Sequence, residues 1–138
     1  MATTTPAHAP SFVGVRKATL LVVAAVALYF VYGEAQYFVW SEDSYGYYWA
    51  FRASLAVHVG GGLVALLAGV FQLWTGLNGS AMRTHPWTGR LYLAGVVAGA
   101  LGAISLAFSS ALFGLPWDVA LISLALAWLA ITGTAFVC

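Results

Sequence analysis

Charged side chains are scarce in this 138-residue sequence, which has five lysines and arginines and four aspartates and glutamates. Only 7% of the residues are charged and 62% are hydrophobic, whereas a soluble domain is about 25% charged. The net charge of +1 and the lack of a basic patch give no support for nucleic-acid binding. The composition predicts an integral membrane protein, with lipids as its immediate partners.

Cysteine and metal-binding residues are also rare. The single cysteine, Cys138, excludes an intramolecular disulfide. A zinc site needs three or four ligands at suitable spacing, and the sequence offers no such set. It also has no nucleophile elbow, phosphate-binding loop or dinucleotide-binding fingerprint. We therefore expect no catalytic residues and no metal site, and we predict that the chain is not an enzyme.

Four apolar segments are long enough to cross a bilayer within one membrane domain, residues 1–138. At about 1.5 Å per residue, the first of them spans about 34 Å. Short loops between such segments favour antiparallel neighbours. The expected fold is all-α, with four transmembrane helices in an up-down bundle. The predicted helices cover residues 18–40, 53–75, 91–113 and 117–137, after a tail of residues 1–16.

The basic residues of the short loops predict the orientation of the bundle. Arg16, Lys17, Arg83 and Arg90 fall on one side of the membrane, and Arg52 falls on the other. Positive-inside counting places both termini in the cytoplasm. We expect the protein to lie in the inner (cytoplasmic) membrane. The fourth segment reaches the last residue without a polar flank, which favours a longer natural chain.

Cysteines introduced at Ser44 and Ser80 test this orientation. The two positions lie in loops at opposite ends of the second helix, so we expect a membrane-impermeant thiol reagent to label them from opposite sides. Labelling of both positions from the same side would refute the topology.

Glu34 and His58 are ionisable residues inside the predicted spans. Each lies six residues from the outer end of its helix, counting from Trp40 and from Arg52, or about 9 Å deep. A carboxylate in lipid is costly unless it is paired. We therefore predict that the two side chains lie within hydrogen-bond reach, about 2.6–3.2 Å, or share one bridging water. Such a pair can simply fix the helix register, or it can carry a proton or bind a ligand.

Small residues follow His58 along one face of the second helix, at alternating steps of four and three residues that reach Gln72. The third helix carries glycines at similar spacing. In lipid, such residues let two helix backbones approach closely, so we predict that these two helices form the closest contact. The predicted packing residues are Gly62, Ala65 and Gly69 on the second helix, and Gly95, Gly99 and Gly102 on the third.

His58, Glu34 and Gln72 form the candidate cofactor-binding set. A haem held between two histidines does not fit, because His58 lies near the outer surface and His85 lies in the inner turn. The rise from His58 to Thr75 alone is about 26 Å, and both axial ligands must reach one iron. A haem with one histidine, a quinone, a pigment, a bound lipid and a proton path stay open as alternatives.

Three motifs follow one another between residues 52 and 110. They are His58-Val59-Gly60-Gly61, the small-residue run from Ala65 to Gln72, and His85-x-Trp87-x-Gly89-Arg90-Leu91-Tyr92. This succession resembles a bacterial family of predicted multipass membrane proteins, a domain of unknown function. That family has a basic residue where this chain has Pro86. The resemblance implies the membrane fold and supplies no reaction.

Two functions are compatible with these observations. The first is a non-catalytic accessory or structural subunit of a larger membrane complex, respiratory or photosynthetic, in which small-residue faces contact other membrane-protein subunits. The second is a small haem-, quinone- or proton-handling membrane protein that uses Glu34 and His58.

Overall fold

The computed structural model describes residues 12–79, 83–109 and 114–137. Within these ranges the chain is helical and contains no β-strand. Four helical segments are long and apolar enough to cross a membrane. The predicted all-α, four-span fold is therefore confirmed. The long helices are α1 (Phe12–Gly33), α3 (Arg52–Asn78), α4 (His85–Ser109) and α5 (Leu115–Val137), and the short α2 is Glu42–Tyr45.

The first helix departs most from its predicted bounds of 18–40. It ends at Gly33, and Glu34 lies in the turn that follows. Glycine is a weak helix former, and the residues beyond it form short helical turns. These turns are the 3-10 helix Ala35–Phe38, then α2, then the 3-10 helix Gly46–Phe51. Of the predicted tail, residues 1–11 lie outside the described residues, and the rest begins α1.

The segment between α1 and α3 is held by an aromatic cluster, Tyr37, Trp40, Tyr45 and Trp49. Tyr45 is only 3% exposed, and its ring meets the other three edge-on, with centroids between 5.3 and 6.0 Å apart. Its hydroxyl donates to the Tyr37 carbonyl oxygen at 3.0 Å. Such ring pairs contribute about 0.5–1.5 kcal/mol each beyond area burial. The cluster thus stabilises a compact turn where the apolar run predicts continued helix.

Helix α4 lies at the centre of the bundle. One of its faces packs against α3 and another packs against α5, where Ala100 and Ala103 meet Ala125. Val96 between these faces is fully buried. Helix α1 packs mainly against α3, and Ala27 is the only buried residue among its described side chains. The core is therefore built on α3, α4 and α5, with α1 at its side.

Neighbouring helices run antiparallel, as the up-down arrangement requires. Arg16 Nη2 donates to Asn78 Oδ1 at 3.1 Å, so the beginning of α1 lies beside the end of α3. Helix α3 ends there because Gly79 adopts a left-handed φ of 60°. We call this the Gln72 end of the bundle, and the opposite end, which holds the turn after α1, the Glu34 end.

The backbones of α3 and α4 approach each other as closely as glycine permits. A Cβ atom at Gly95 would lie 2.6 Å from the Ala65 backbone nitrogen, and one at Gly102 would lie 2.5 Å from the His58 nitrogen. Both distances are far shorter than van der Waals contact. The contact between α3 and α4 therefore depends on the absence of side chains at these positions.

The contact face of α3 includes Ala65, as predicted, but it is rotated away from the predicted Gly62 and Gly69. A Cβ atom at Gly61 would collide with the backbone of Gly99, whereas one at Gly62 would meet nothing within 4 Å. A Cβ atom at Gly69 would lie 3.3 Å from the ring of Tyr92 and away from the α4 backbone. Gly61, which the sequence analysis did not select, thus occupies the place predicted for Gly62.

Two hydrogen bonds between α3 and α4 fix this rotation. The hydroxyl oxygens of Ser54 and Ser105 lie 2.7 Å apart, and His58 Nδ1 lies 2.9 Å from the Gly99 carbonyl oxygen. A polar group left without a partner in an apolar environment costs about 1–3 kcal/mol. The face that pairs these polar groups is therefore preferred over the neighbouring face of small residues.

Candidate functional site

A cavity of about 620 Å³ lies between the four long helices. Its volume is within the range of small-molecule sites, about 300–1,000 Å³. Aliphatic and aromatic side chains form most of its wall, with contributions from every long helix and from the turn after α1. The polar side chains in the wall include Glu34, Tyr37, His58, Tyr92 and Trp128. The helices thus line a partly open apolar cavity with a few polar groups in its wall.

The cavity is elongated along the bundle. Its wall on α3 runs from Leu55 to Val70, which corresponds to about 22 Å of helix. His58 lies toward the Glu34 end of this wall. Tyr92 lies toward the Gln72 end, where its ring contacts Gly69. A ligand that fills the cavity is therefore long and narrow, with different polar groups near its two ends.

His58 is held by α4 through one ring nitrogen. A carbonyl oxygen only accepts hydrogen bonds, so the 2.9 Å contact with Gly99 places the hydrogen on Nδ1. In the neutral ring, Nε2 then keeps its lone pair. Among the described residues Nε2 has no hydrogen-bond partner, and the half-buried ring lines the cavity. The ring is therefore fixed in position and presents an acceptor or a metal ligand.

The close helix contact is what brings His58 into this position. Gly102 has no side chain, so the α4 backbone lies directly against the backbone of His58. At this separation the imidazole spans the short gap and reaches the Gly99 carbonyl oxygen. The glycines of α4 therefore determine the orientation of the histidine as well as the packing of the helices.

Glu34 lines the same cavity but does not form the predicted direct hydrogen bond with His58 in the described part of the chain. Because α1 ends at Gly33, the carboxylate is carried by the turn, near Tyr37, while the histidine is held by α4. Burial and, second, the Glu34 carboxylate raise the pKa of the Tyr37 phenol above 10.0. A water bridge between Glu34 and His58 stays a prediction.

Gln72 lies outside the cavity wall and holds the beginning of α4 instead. Its Nε2 donates to the His85 carbonyl oxygen at 2.7 Å and to Thr88 Oγ1 at 2.9 Å. Thr75, which is fully buried, donates its hydroxyl to the Gln72 carbonyl oxygen at 3.0 Å. The same hydroxyl oxygen lies 3.3 Å from His85 Nδ1. Gln72 is therefore part of a helix-packing network. It does not line the cavity with His58 and Glu34, the residues with which it was predicted to bind a cofactor.

Tyr92 and Trp128 are cavity residues that the sequence analysis did not select. Trp128 Nε1 donates to the Tyr92 hydroxyl oxygen at 3.3 Å, which joins α5 to α4 across the cavity wall. One sequence feature could have identified Trp128 as a site residue, because it lies in the middle of a predicted span. Tryptophan is more typical of membrane interfaces, and inside a span its N–H needs a partner.

The described residues contain no group of three or more histidine, cysteine or acidic side chains that could hold a metal ion. Any ligand of this cavity is therefore bound by scattered polar groups and by apolar contact. The fold defines a multipass helical membrane protein, and the cavity lies between its long helices.

The chain belongs to the family described as predicted membrane protein (DUF2306), which matches residues 55–138. The expected resemblance to a family of multipass membrane proteins is thereby confirmed. The match covers α4, α5 and α3 from Leu55 onward, so it includes His58, the glycine contact and the Tyr92–Trp128 pair. No curated protein and no solved structure matches the chain.

Proposed function

We propose that this protein binds an elongated, largely apolar small molecule within the membrane, in the cavity between α1, α3, α4 and α5. The observation that carries the proposal is the cavity of about 620 Å³, with His58 and Glu34 near one end. In this proposal the chain is a binding protein and not an enzyme. Haem, quinone, pigment and lipid all belong to the class of ligands considered.

The size and the wall of the cavity support a bound molecule. Atoms that line an open apolar cleft between helices lack dispersion contacts on one side unless another molecule fills the cleft. The wall also holds a carboxylate and an imidazole, groups that are costly in lipid without a polar partner. A ligand with an apolar body and a polar head satisfies both requirements.

Extraction of small molecules from protein purified in mild detergent, followed by mass spectrometry, tests the proposal. Gly62 lines the cavity, and a side chain there meets open space within 4 Å. We expect Gly62→Phe to fill part of the cavity and to reduce the co-purifying ligand at least about tenfold, which corresponds to about 1.4 kcal/mol.

Gly60→Phe is the matched control for this variant. Gly60 lies on the same helix, and a side chain there also meets open space, but it does not line the cavity. The control should retain the ligand at the wild-type level. Equal ligand content in the wild type and in both variants would contradict binding in this cavity.

A second candidate function is a non-catalytic accessory subunit of a larger respiratory or photosynthetic membrane complex. The observation in its favour is a shallow groove along α3 and α4 that includes Gly60. Small residues at such a surface allow a transmembrane helix of another subunit to approach closely. The groove is lined by Ala56, Val57, Gly60, Gly61, Val64, Ala94, Gly95 and Ala98.

The same purification distinguishes the binding function from the accessory-subunit function. If the groove holds a helix of another subunit, Gly60→Phe should release a co-purifying protein that Gly62→Phe retains. The two substitutions thus have opposite expected effects on protein partners and on the small molecule.

We further propose that the protein lies in the inner membrane with both termini in the cytoplasm. Supporting this orientation, the Arg16–Asn78 hydrogen bond groups Arg16 with the turn that carries Arg83. Arg90 follows in the first turns of α4, with its guanidinium 5.1 Å from the centre of the Trp87 ring. The Gln72 end of the bundle is thus rich in cations, as a cytoplasmic end should be.

A further inference from the structure

We infer that the ligand of this cavity is a lipid-soluble hydroquinone, whose ring hydroxyl donates to His58 Nε2 and whose apolar chain follows α3. The inference rests on the proposed function and narrows it to one class of molecule. It concerns binding only and includes no redox step.

His58 and Glu34, at the Glu34 end of the cavity, both offer hydrogen-bond acceptors. The Nδ1–H of His58 is used by the Gly99 carbonyl oxygen, so neutral His58 offers only the Nε2 lone pair. Glu34, when ionised, also only accepts hydrogen bonds. A quinone brings two carbonyl oxygens, which are acceptors and find no donor in His58 or Glu34; in the same wall the phenol hydroxyls of Tyr37 and Tyr48 can donate to them. A hydroquinone brings the O–H donor that His58 Nε2 lacks among the described residues.

The wall of α3 beyond His58 fits an apolar chain. Val59, Leu63, Leu66 and Val70 all line the cavity and follow one another at steps of four, three and four residues, so they form one stripe of the helix. This stripe is about 16 Å long. Gly62 lies beside it with open space above its backbone, which leaves room for a chain to lie against the helix.

Haem fits the same space less well, although His58 Nε2 is a suitable axial ligand. Haem carries two propionates, and the described residues of the cavity wall include the carboxylate Glu34 and no lysine or arginine. Two more carboxylates would have no cation to pair with in an apolar site. An uncharged aromatic head avoids this cost.

Anaerobic isothermal titration of the detergent-purified protein tests the inference. The probes are a decyl-substituted benzohydroquinone and the matching benzoquinone, which differ only in their two O–H groups. We expect the hydroquinone to bind about tenfold more tightly, the effect of one hydrogen bond of ordinary strength. This comparison uses the wild-type chain and needs no variant.

His58→Asn tests the role of Nε2 separately. The side-chain amide of asparagine occupies the place of the Nδ1–H, so it can still donate to the Gly99 carbonyl oxygen, but it has no acceptor at the place of Nε2. We expect the two probes to bind this variant within about twofold of each other, because the roughly tenfold preference came from one hydrogen bond. His85→Asn is the control, since His85 contacts Thr75 outside the cavity wall, and it should keep the wild-type preference.

Equal binding of the two probes to the wild type, or a preference that survives in His58→Asn, overturns the inference. If neither probe binds while another molecule still co-purifies in a Gly62-dependent manner, the hydroquinone assignment is wrong and the proposed binding function stands. If no co-purifying molecule depends on Gly62, the proposed function itself fails.

Discussion

Gly95→Ala is expected to destabilise the bundle by about 3 kcal/mol, although it adds only one methyl group. That methyl group would lie 2.6 Å from the Ala65 nitrogen and 2.8 Å from the Gly61 carbonyl oxygen. Both neighbours are backbone atoms of a helix, so neither can move aside by changing a rotamer. The two helices must separate along their length, and they lose the contacts on either side of the substitution. Thermal unfolding in detergent, followed by circular dichroism, measures the loss.

Gly62→Ala is the matched control for this substitution. It makes the same chemical change in a helix of the same contact, yet its methyl group would meet nothing within 4 Å. Alanine is the better helix former by up to about 1 kcal/mol, so this variant should be as stable as the wild type or more stable. Similar melting temperatures for the two variants would show that Gly95 does not lie in the contact.

Gly102→Ala extends the same reasoning to the candidate site. Its methyl group would lie 2.5 Å from the His58 nitrogen, so relieving the collision moves α4 away from the histidine. The bond between His58 Nδ1 and the Gly99 carbonyl oxygen then lengthens or breaks. Packing and ligand recognition therefore depend on the same glycines.

The spans and their antiparallel order were predictable because apolar length and short loops determine them. The rotation of α3 was not. Gly61 and Gly62 are adjacent, as are Ala68 and Gly69, so small residues are present on two neighbouring faces. Which of the two faces makes the contact depends on the residues of α4 that pack against it. The residue spacing within a single helix does not carry this information.

The position of Glu34 was mispredicted for a related reason. Gly33 is a weak helix former, but hydropathy continues through Phe38 and Trp40, so the apolar run alone does not predict that the helix ends at Gly33. The end is determined by the aromatic cluster around Tyr45, whose members meet only after the chain turns. The cavity was also beyond prediction, because its wall combines residues of four helices and the turn after α1.

Gln72→Leu is expected to destabilise the protein by about 2–3 kcal/mol. The side-chain amide donates to the His85 carbonyl oxygen and to Thr88 Oγ1 at the beginning of α4, and leucine offers no donor to either. Gln36→Leu is the control, because the same change at an exposed residue of the turn after α1 should alter stability by less than about 0.5 kcal/mol.

Ligand content separates the two roles considered for Gln72. If its amide serves only the contact between α3 and α4, folded Gln72→Leu protein retains the co-purifying molecule at the wild-type level, because Gln72 lies outside the cavity wall. If the amide binds the ligand, the molecule is lost even below the lowered melting temperature. Ligand loss at a temperature where circular dichroism shows a folded bundle would therefore show that Gln72 contributes to ligand binding. Loss of stability alone assigns it to the network that holds α4 on α3.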